Sequence, residues 1–521
     1  MRMHSGLPNT NRADKKSVNP REVELKLQLP PGSRAALEAG TVFAAAEAKQ
    51  RHQVTTYFDT PDRMLEGFGL TLRVRRSGDA RIQTVKSRAN GRGIASNRGE
   101  WEWRISHDGP DVGRLAETAE LAKAAQAIKG RLEPVFVTDI RRTTRLLHLD
   151  SNKVIEAAID EGSIAAGAAR ETVSELELEL KGGRIGPMYE LAAELQSLAP
   201  LWISPESKSA RGWHLRTGQT EGAQEAQMPK LGPRDRAADA FQKIIGGTLG
   251  HLMANIGPTL RGDPEGVHQM RIALRGSRAA LKLFEPHLDA VAMARFDLAL
   301  QRFGRIFGKA RDWDVFCLQT LPAAMANLPA ERLRDLDQVA EIERQVAHAA
   351  VSDALRGQHF TALVLDLAVW TEGGAAQPHT LGDDRMGKRL ATVAPLLLDR
   401  VAGKAKKRGR HAARLSADEL HGLRKSLDKL CDDVAYLAGL YRRRAVNAYR
   451  GRCEDLQEIH GAANDAAVTK QLALKLVTES RPDLAKPVGA LARWSERRNR
   501  KALRGLKGAL KDFRATPGFW S

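Results

Sequence analysis

Glu22-Val23-Glu24-Leu25-Lys26 is the stretch from which the rest of this chain is read. A strand sends successive side chains to opposite faces. Glu22, Glu24 and Lys26 therefore share one face, and Val23, Leu25 and Leu27 the other. Alone, this is an ordinary half-solvated strand. The same alternation recurs over roughly the first 220 residues, and the set changes its meaning.

Arg73 and Arg75 alternate with Leu72 and Val74, and Thr84 and Lys86 flank Val85. Glu100 and Glu102 alternate with Trp101 and Trp103, and Glu156 and Asp160 share a face through Ala158. Glu175, Glu177 and Glu179 alternate with Leu176, Leu178 and Leu180. Acids gather on some strands and bases on others, whereas a solvated face mixes residue types freely. A closed sheet with its charged faces inward brings both signs together. Carboxylates suit a hard divalent cation, and arginine forks and lysines suit phosphate oxygens. That combination serves phosphoryl transfer, which needs positioning and charge neutralisation more than covalent chemistry.

The chain has 521 residues, too many for one ordinary core. Its net charge is +19. Residues 1–220 carry about +5 of this and residues 221–521 about +14. Such a balance points to anionic partners. Cys317, Cys431 and Cys453 form no CxxC pair, which argues against a disulfide framework or zinc site and for a reducing compartment. The N-terminus has no apolar signal core, and no apolar run reaches the roughly 18 residues of a membrane span. These features give the expectation of a cytoplasmic protein.

Residues 1–20 read as a disordered tail. Strand signals cover 21–29, 53–58, 69–76, 81–88, 98–106, 135–148, 153–160 and 172–181. Helical periodicity appears at 33–49, 114–129 and 187–199. Gly91, Gly93 and Gly99 read as a mobile hairpin connection. Residues 218–231 are a linker by composition. Beyond it, strand signals vanish and amphipathic helices run nearly to the end, giving an expected helical domain over 232–515. Val267-His268-Gln269-Met270-Arg271 is echoed by Leu420-His421-Gly422-Leu423-Arg424, and Ala310-Arg311-Asp312 by Ala463-Asn464-Asp465. Both echoes share one offset of about 153 positions, which marks a duplicated helical unit.

The N-terminal motifs resemble the CYTH (triphosphate tunnel metalloenzyme) family. The match runs in order through Glu22-x-Glu24-x-Lys26, Tyr57-Phe58-Asp59-Thr60, Leu72-Arg73-Val74-Arg75, Thr84-x-Lys86 and Arg98-x-Glu100-x-Glu102. It continues through Thr138-Asp139…Arg142, Glu156…Asp160-x-Gly162, Glu175-x-Glu177-x-Glu179 and Ser207-Lys208…Arg211-Gly212, covering 21–217. The resemblance implies an α+β domain built on an antiparallel eight-stranded β-barrel tunnel that cleaves triphosphates with Mg2+ or Mn2+. It implies that Lys26, Arg73, Arg75, Lys86, Arg142, Lys208 and Arg211 bind phosphate. It assigns metal ligation to Glu177 and Glu179, with Glu22 and Glu24 holding a second metal or the attacking water. Glu22, Glu24 and Lys26 are the implied catalytic set, and Glu100, Glu102, Glu156, Asp160 and Glu175 complete the interior network. The sequence leaves open whether Arg141 or Arg142 points inward.

In the second half His268, Arg271, Arg275, Arg278 and Lys282 are spaced three and four apart. On a helix they form one stripe, about 21 Å long at a rise of 1.5 Å per residue. Arg493, Arg497, Arg500, Arg504, Lys507 and Lys511 form another, for which a plain solvated face is an equal alternative. Val267-His268-Gln269-Met270-Arg271, Ala310-Arg311-Asp312-Trp313-Asp314-Val315, His421-x-x-Arg424 and Asn464-Asp465 resemble the CHAD domain. That resemblance implies an all-α duplicated helical bundle that binds inorganic polyphosphate through His268, Arg271, Arg275, Arg278, Lys282, His421 and Arg424. Here Asp428 and Cys431 stand where the family pattern has basic residues.

The expectation is an inorganic triphosphatase that resembles bacterial CYTH–CHAD proteins, with inorganic triphosphate and polyphosphate as partners. The alternatives are a non-catalytic polyphosphate-binding protein and an adenylate cyclase-like nucleotide enzyme. Few aromatics interleave the basic helices, which argues against nucleic-acid readout by stacking.

Overall fold

A computed structural model describes residues 21–88, 93–150, 152–329, 333–373, 385–410, 417–478 and 481–520. The expected disordered tail, 1–20, lies outside the described residues. The N-terminal region is a closed eight-stranded antiparallel barrel. Its strands are β1 (Arg21–Gln28), β2 (Lys49–Asp59), β3 (Leu70–Ser77), β4 (Ala80–Ser87), β5 (Ser96–Arg104), β6 (Glu133–Asp150), β7 (Lys153–Ala166) and β8 (Ala169–Gly182). The strand order is β5-β4-β3-β2-β6-β7-β8-β1, and β1 closes the ring on β5. Glu24 stands opposite Glu179 on one side and Ser96 on the other. A ninth short strand, β9 (Trp202–Ile203), adds to the end of β1 at Leu27 and Gln28.

The period-2 pattern dictates this wall. Leu25, Leu27, Leu176 and Leu178 turn outward and are buried beneath helices. Each such leucine, taken fully from water, contributes about 1.5–3 kcal/mol. Gly162 permits the β6–β7 pairing, because a Cβ there would stand 2.0 Å from the Asp139 carbonyl oxygen. The buried Asp59 carboxylate accepts the backbone N–H groups of Thr60, Leu65 and Glu66 at 2.7, 2.8 and 3.1 Å. It organises the turn after β2 and does not reach the interior.

Some elements differ from the expectation. The helix expected at 33–49 breaks at Gly40 into Ser33–Ala39 and Thr41–Ala44, and Lys49 already begins β2. The helix expected at 114–129 is likewise two short pieces, Val112–Ala116 and Ala122–Ile128. β7 continues to Ala166, because Gly162, Ser163 and Ala165 weaken its strand signal although pairing with β8 runs on. Gly99 lies in β5, and Gly93 is docked rather than loose, its N–H donating to the Gly246 carbonyl at 2.8 Å.

The remainder is helical. Helix Pro264–Phe284 recurs as Ala417–Leu437, and helix Ala290–Val315 recurs within Arg443–Lys475. The C-terminal basic stripe is broken at Arg504, between helices Ala485–Leu503 and Leu506–Ala515, and its six cations are exposed to solvent. No helix among the described residues is long and apolar enough to cross a membrane. Barrel and bundle share one apolar core running from Leu25 through Leu191 and Leu195 to Phe241 and Ile244. Polar contacts join them as well. Gln196 Nε2 donates to the Gln358 carbonyl, and Ile203 N–H donates to Thr361 Oγ1, both at 3.1 Å.

Candidate functional site

The barrel encloses a cavity of about 170 Å³ whose wall is mostly charged. Glu22, Glu24, Lys26, Arg73, Arg75, Lys86, Glu100, Glu102, Arg142, Glu156, Asp160, Glu177, Glu179 and Lys208 all reach it. Strand alternation puts them there, except Lys208. That residue enters on helix Lys208–Thr217, which is capped by Ser207 Oγ accepting the Ala210 N–H at 3.1 Å. Gly212 lets this helix press on the barrel, since a Cβ there would meet the Phe136 ring at 2.3 Å. Arg142 faces inward and Arg141 is exposed.

Two expected residues stand apart from the cavity wall. Arg211, one helical turn beyond Lys208, reaches β8, where its Nε meets Glu171 at 2.7 Å and a terminal nitrogen meets Glu175 at 3.1 Å. Glu175 sits behind the lining, between Lys208 and Arg211. Both hold the helix against the barrel.

At one side of the cavity the charges are tightly paired. Lys26 Nζ lies 2.5 Å from Glu177, Arg142 bridges Asp160 and Glu177 at 2.6 and 2.5 Å, and Lys208 Nζ is 2.6 Å from Asp160 and 2.9 Å from Glu177. Burial disfavours the charge on Glu177, yet Lys208, Lys26 and Arg142 outweigh it and hold the carboxyl well below its usual range. Burial likewise opposes ionisation of Glu22, but Lys86 and Arg98 bring it down to about 2. Glu24 goes the other way: burial and the adjacent Glu177 charge push it up.

The opposite side is under-paired. Arg73 has one carboxylate contact, Glu100 at 3.8 Å, and its buried Nε has no hydrogen-bond partner among the described residues. Arg75 has no carboxylate oxygen within 4.0 Å among the described residues, and the charge of Arg73, with burial, pulls it down to about 10. Unpaired buried guanidinium groups are costly unless an anion joins them.

Carboxylates come together in two groups, each with oxygens within 4.8 Å of one another: Glu22, Glu100 and Glu179, and Asp160, Glu175 and Glu177. The second group already surrounds the Lys208 ammonium. In the first, Glu22 and Glu100 meet Lys86 at 2.6 and 3.0 Å, and Glu179 meets Lys181 at 2.6 Å. Burial still pushes Glu179 up against Lys181, and the group's oxygen-only donor set suits a hard divalent cation. The expected ligand set of Glu22, Glu24, Glu177 and Glu179 is thus divided: Glu22 and Glu179 meet with Glu100, Glu177 belongs to the other group, and Glu24 to neither.

Sequence reasoning left several lining residues without a role. Arg98 bonds Glu22 at 2.8 Å and Glu24 at 3.1 Å, and Lys181 bonds Glu179 at 2.6 Å. Gln53, Thr55 and Tyr57 of β2 also line the cavity. Parity was the available signal, because Arg98 is in phase with Glu100, and Lys181 with Glu179.

The helical region has a second cavity of about 210 Å³. The two repeats meet there: His268, Arg271, Arg311 and Asp312 come from the first, and Arg424, Asn464 and Asp465 from the second. Arg275, Arg278 and Lys282 lie outside it, so the stripe is not one continuous surface. His421 lies in helix Ala417–Leu437, its side chain outside the described residues.

Comparison with known proteins agrees with this division. Residues 20–213 match the CYTH domain and residues 243–474 the CHAD domain. The chain is 29% identical over 199 residues to the inorganic triphosphatase of Haemophilus influenzae, covering 38% of this chain and 56% of that protein. It therefore spans just over half the length of this curated relative. The crystal structure of the CHAD domain from the plant Ricinus communis is similar at 26% identity and a TM-score of 0.50, covering 57% of this chain and 98% of that one. A proposed adenylyl cyclase from Hippeastrum with a dominant triphosphatase activity matches at 21% identity and a TM-score of 0.29, over 37% of this chain and 96% of that one. The chain is a CYTH domain followed by a CHAD domain.

Proposed function

We propose that the barrel hydrolyses inorganic triphosphate, or a related triphosphate, with Mg2+ or Mn2+, and that the helical domain binds inorganic phosphate chains. One observation carries the catalytic reading. The under-paired Arg73 and Arg75 share a cavity with a three-carboxylate group, so one chamber offers both an anion cradle and a cation site.

Arg73, Arg75 and Lys86 grip the phosphate oxygens and neutralise charge as it builds on the leaving group. Glu22, Glu100 and Glu179 would hold the metal ion, which supplies further charge neutralisation to the bound phosphates. Glu24, its affinity for a proton raised by burial and by Glu177, accepts the proton of the attacking water. The water oxygen bonds to the terminal phosphorus, which leaves as orthophosphate; the bridging P–O bond breaks and its electron pair stays on the departing pyrophosphate. Lys26 and Arg98 keep the Glu24 carboxylate in place from 3.3 and 3.1 Å.

The boundaries near residues 217 and 232 and a reducing, cytoplasmic setting belong to the same proposal. Phosphate release from inorganic triphosphate with each metal tests the activity. Release that Glu24→Gln abolishes is expected. A folded protein that releases no phosphate under any of these conditions rules the reading out. Cyclic nucleotide formed from ATP would instead favour a cyclase.

A further inference from the structure

Among the described residues, Lys208 is the one cation of the barrel cavity carried by a helix. The others stand on strands, where the ladder fixes them. Lys208 is the first residue of its helix, so its place depends on the route of the chain that delivers it. That place matters, because its ammonium lies among Asp160, Glu175 and Glu177.

The barrel grips this helix beyond Lys208, through Arg211 and Gly212. The approach before Lys208 runs between the two domains. On the barrel side β9 pairs with β1, and Ser204 N–H donates to the Lys26 carbonyl at 3.1 Å. On the other side stands the helical domain. There the buried Thr361 Oγ1 accepts the Ile203 N–H at 3.1 Å. Arg261, just past helix Ala237–Leu260, bonds the carboxylate of Glu206, two residues before Lys208. Its other terminal nitrogen donates to the Glu221 carbonyl at 3.1 Å, in the chain that leaves the lysine's helix. One guanidinium therefore ties the segments that enter and leave this helix. Helix Ala237–Leu260 is bare where Glu206 meets it, because a Cβ at Gly257 would collide with that carboxylate. An ion pair as open as Arg261–Glu206 adds little to stability, whereas a buried N–H left without Thr361 is costlier. Their common effect is to fix the path of residues 203–206.

We propose that Thr361 and Arg261 of the helical domain are positioning residues for Lys208. The barrel's phosphate chamber is then completed by a domain that, among the described residues, contributes no side chain to its wall. The assignment rests on the reading of the barrel as a triphosphatase.

The test uses the full chain with Arg261→Ala and Thr361→Val, singly and combined. Hydrogen–deuterium exchange read by mass spectrometry is expected to quicken several-fold across residues 203–212 in the combined variant, with β6 and β7 unchanged. Phosphate release from inorganic triphosphate with Mg2+ is expected to lose about tenfold in kcat/KM, as for a misplaced binding group. Arg261→Lys, which keeps a cation beside Glu206, recovers part of the Arg261→Ala loss. In a Lys208→Ala background the same two substitutions cost less than about twofold more, since residues that act through one group do not add. Full additivity in that background overturns the assignment, because the contacts then act elsewhere. So does a folded combined variant whose exchange across 203–212 matches the parent. A parent that releases no phosphate overturns the catalytic reading and this assignment together, whereas an active parent matched by the combined variant overturns this assignment alone.

Discussion

The barrel and the bundle both present rows of charged side chains, but in the barrel nearly every member of a row, Glu175 excepted, faces the same space. On a strand the repeat is two residues, so Glu22, Glu24 and Lys26 enter one chamber together. On a helix residues three and four apart drift around the axis and meet different neighbours. His268 and Arg271 reach a cavity, while Arg275, Arg278 and Lys282 are each met by a separate carboxylate. Periodicity alone places charge on a wall, whereas on a helix the packing partner decides what that charge does.

The sharpest way to break this contrast is Glu177→Ala. It leaves Lys26, Arg142 and Lys208 short of a shared partner. Removing one member of a buried ionic network costs about 3–5 kcal/mol. Denaturant unfolding will show that loss, and triphosphate hydrolysis will fall by about a hundredfold or more. Arg75→Ala tests the under-paired side. With no carboxylate left stranded and a desolvated charge removed, stability does not fall, while KM for triphosphate rises by about tenfold, as for a lost charged hydrogen bond.

Acid titration sharpens the same point. Glu22 is depressed to about 2 from an ordinary value of 4.5. A depressed carboxylate contributes stability that is full above its unfolded value and is lost as pH falls through its folded one. The loss attributable to Glu22 therefore runs from near pH 4.5 down to about 2. Glu22→Gln flattens the unfolding curve in that window by one proton. The smallest effect belongs to the bundle, where Arg424→Ala leaves triphosphate hydrolysis in the barrel within about twofold of the parent, as expected for a distant, independent site. A larger loss measured in the same phosphate-release assay means that the two regions communicate.

Legibility in the sequence followed the same division. Parity alone placed Glu100, Glu102, Glu156 and Asp160 in the chamber with Arg73 and Lys86. It did not reveal that Arg211 turns outward to Glu171, because one helical turn beyond Lys208 points at a different strand. Nor could it reveal that Asp160, Glu175 and Glu177 already enclose an ammonium group, since which cation meets which acid depends on barrel register. In the bundle, the shared repeat offset showed the duplication. The pairing of Arg275 with Asp432 stayed hidden, because it joins residues far apart in the chain across two helices.

β1 is held between β5 and β8, and the later of these two partners sets an order of assembly. Leu25 and Lys26 are among the first described residues to be synthesised, and their ladder partners on that side, Leu178 and Glu177, emerge only after seven other strands. Until then Lys26 lacks Glu177, and although Lys86 and Arg98 can already meet Glu22 and Glu24, the open sheet leaves these charges short of their full desolvation cost. That cost arises in one late step, together with the loop-closure entropy of joining distant segments. A ribosome-bound chain truncated before Ala169 therefore has an open sheet with two unpaired edges, exposed to whatever strand it next encounters.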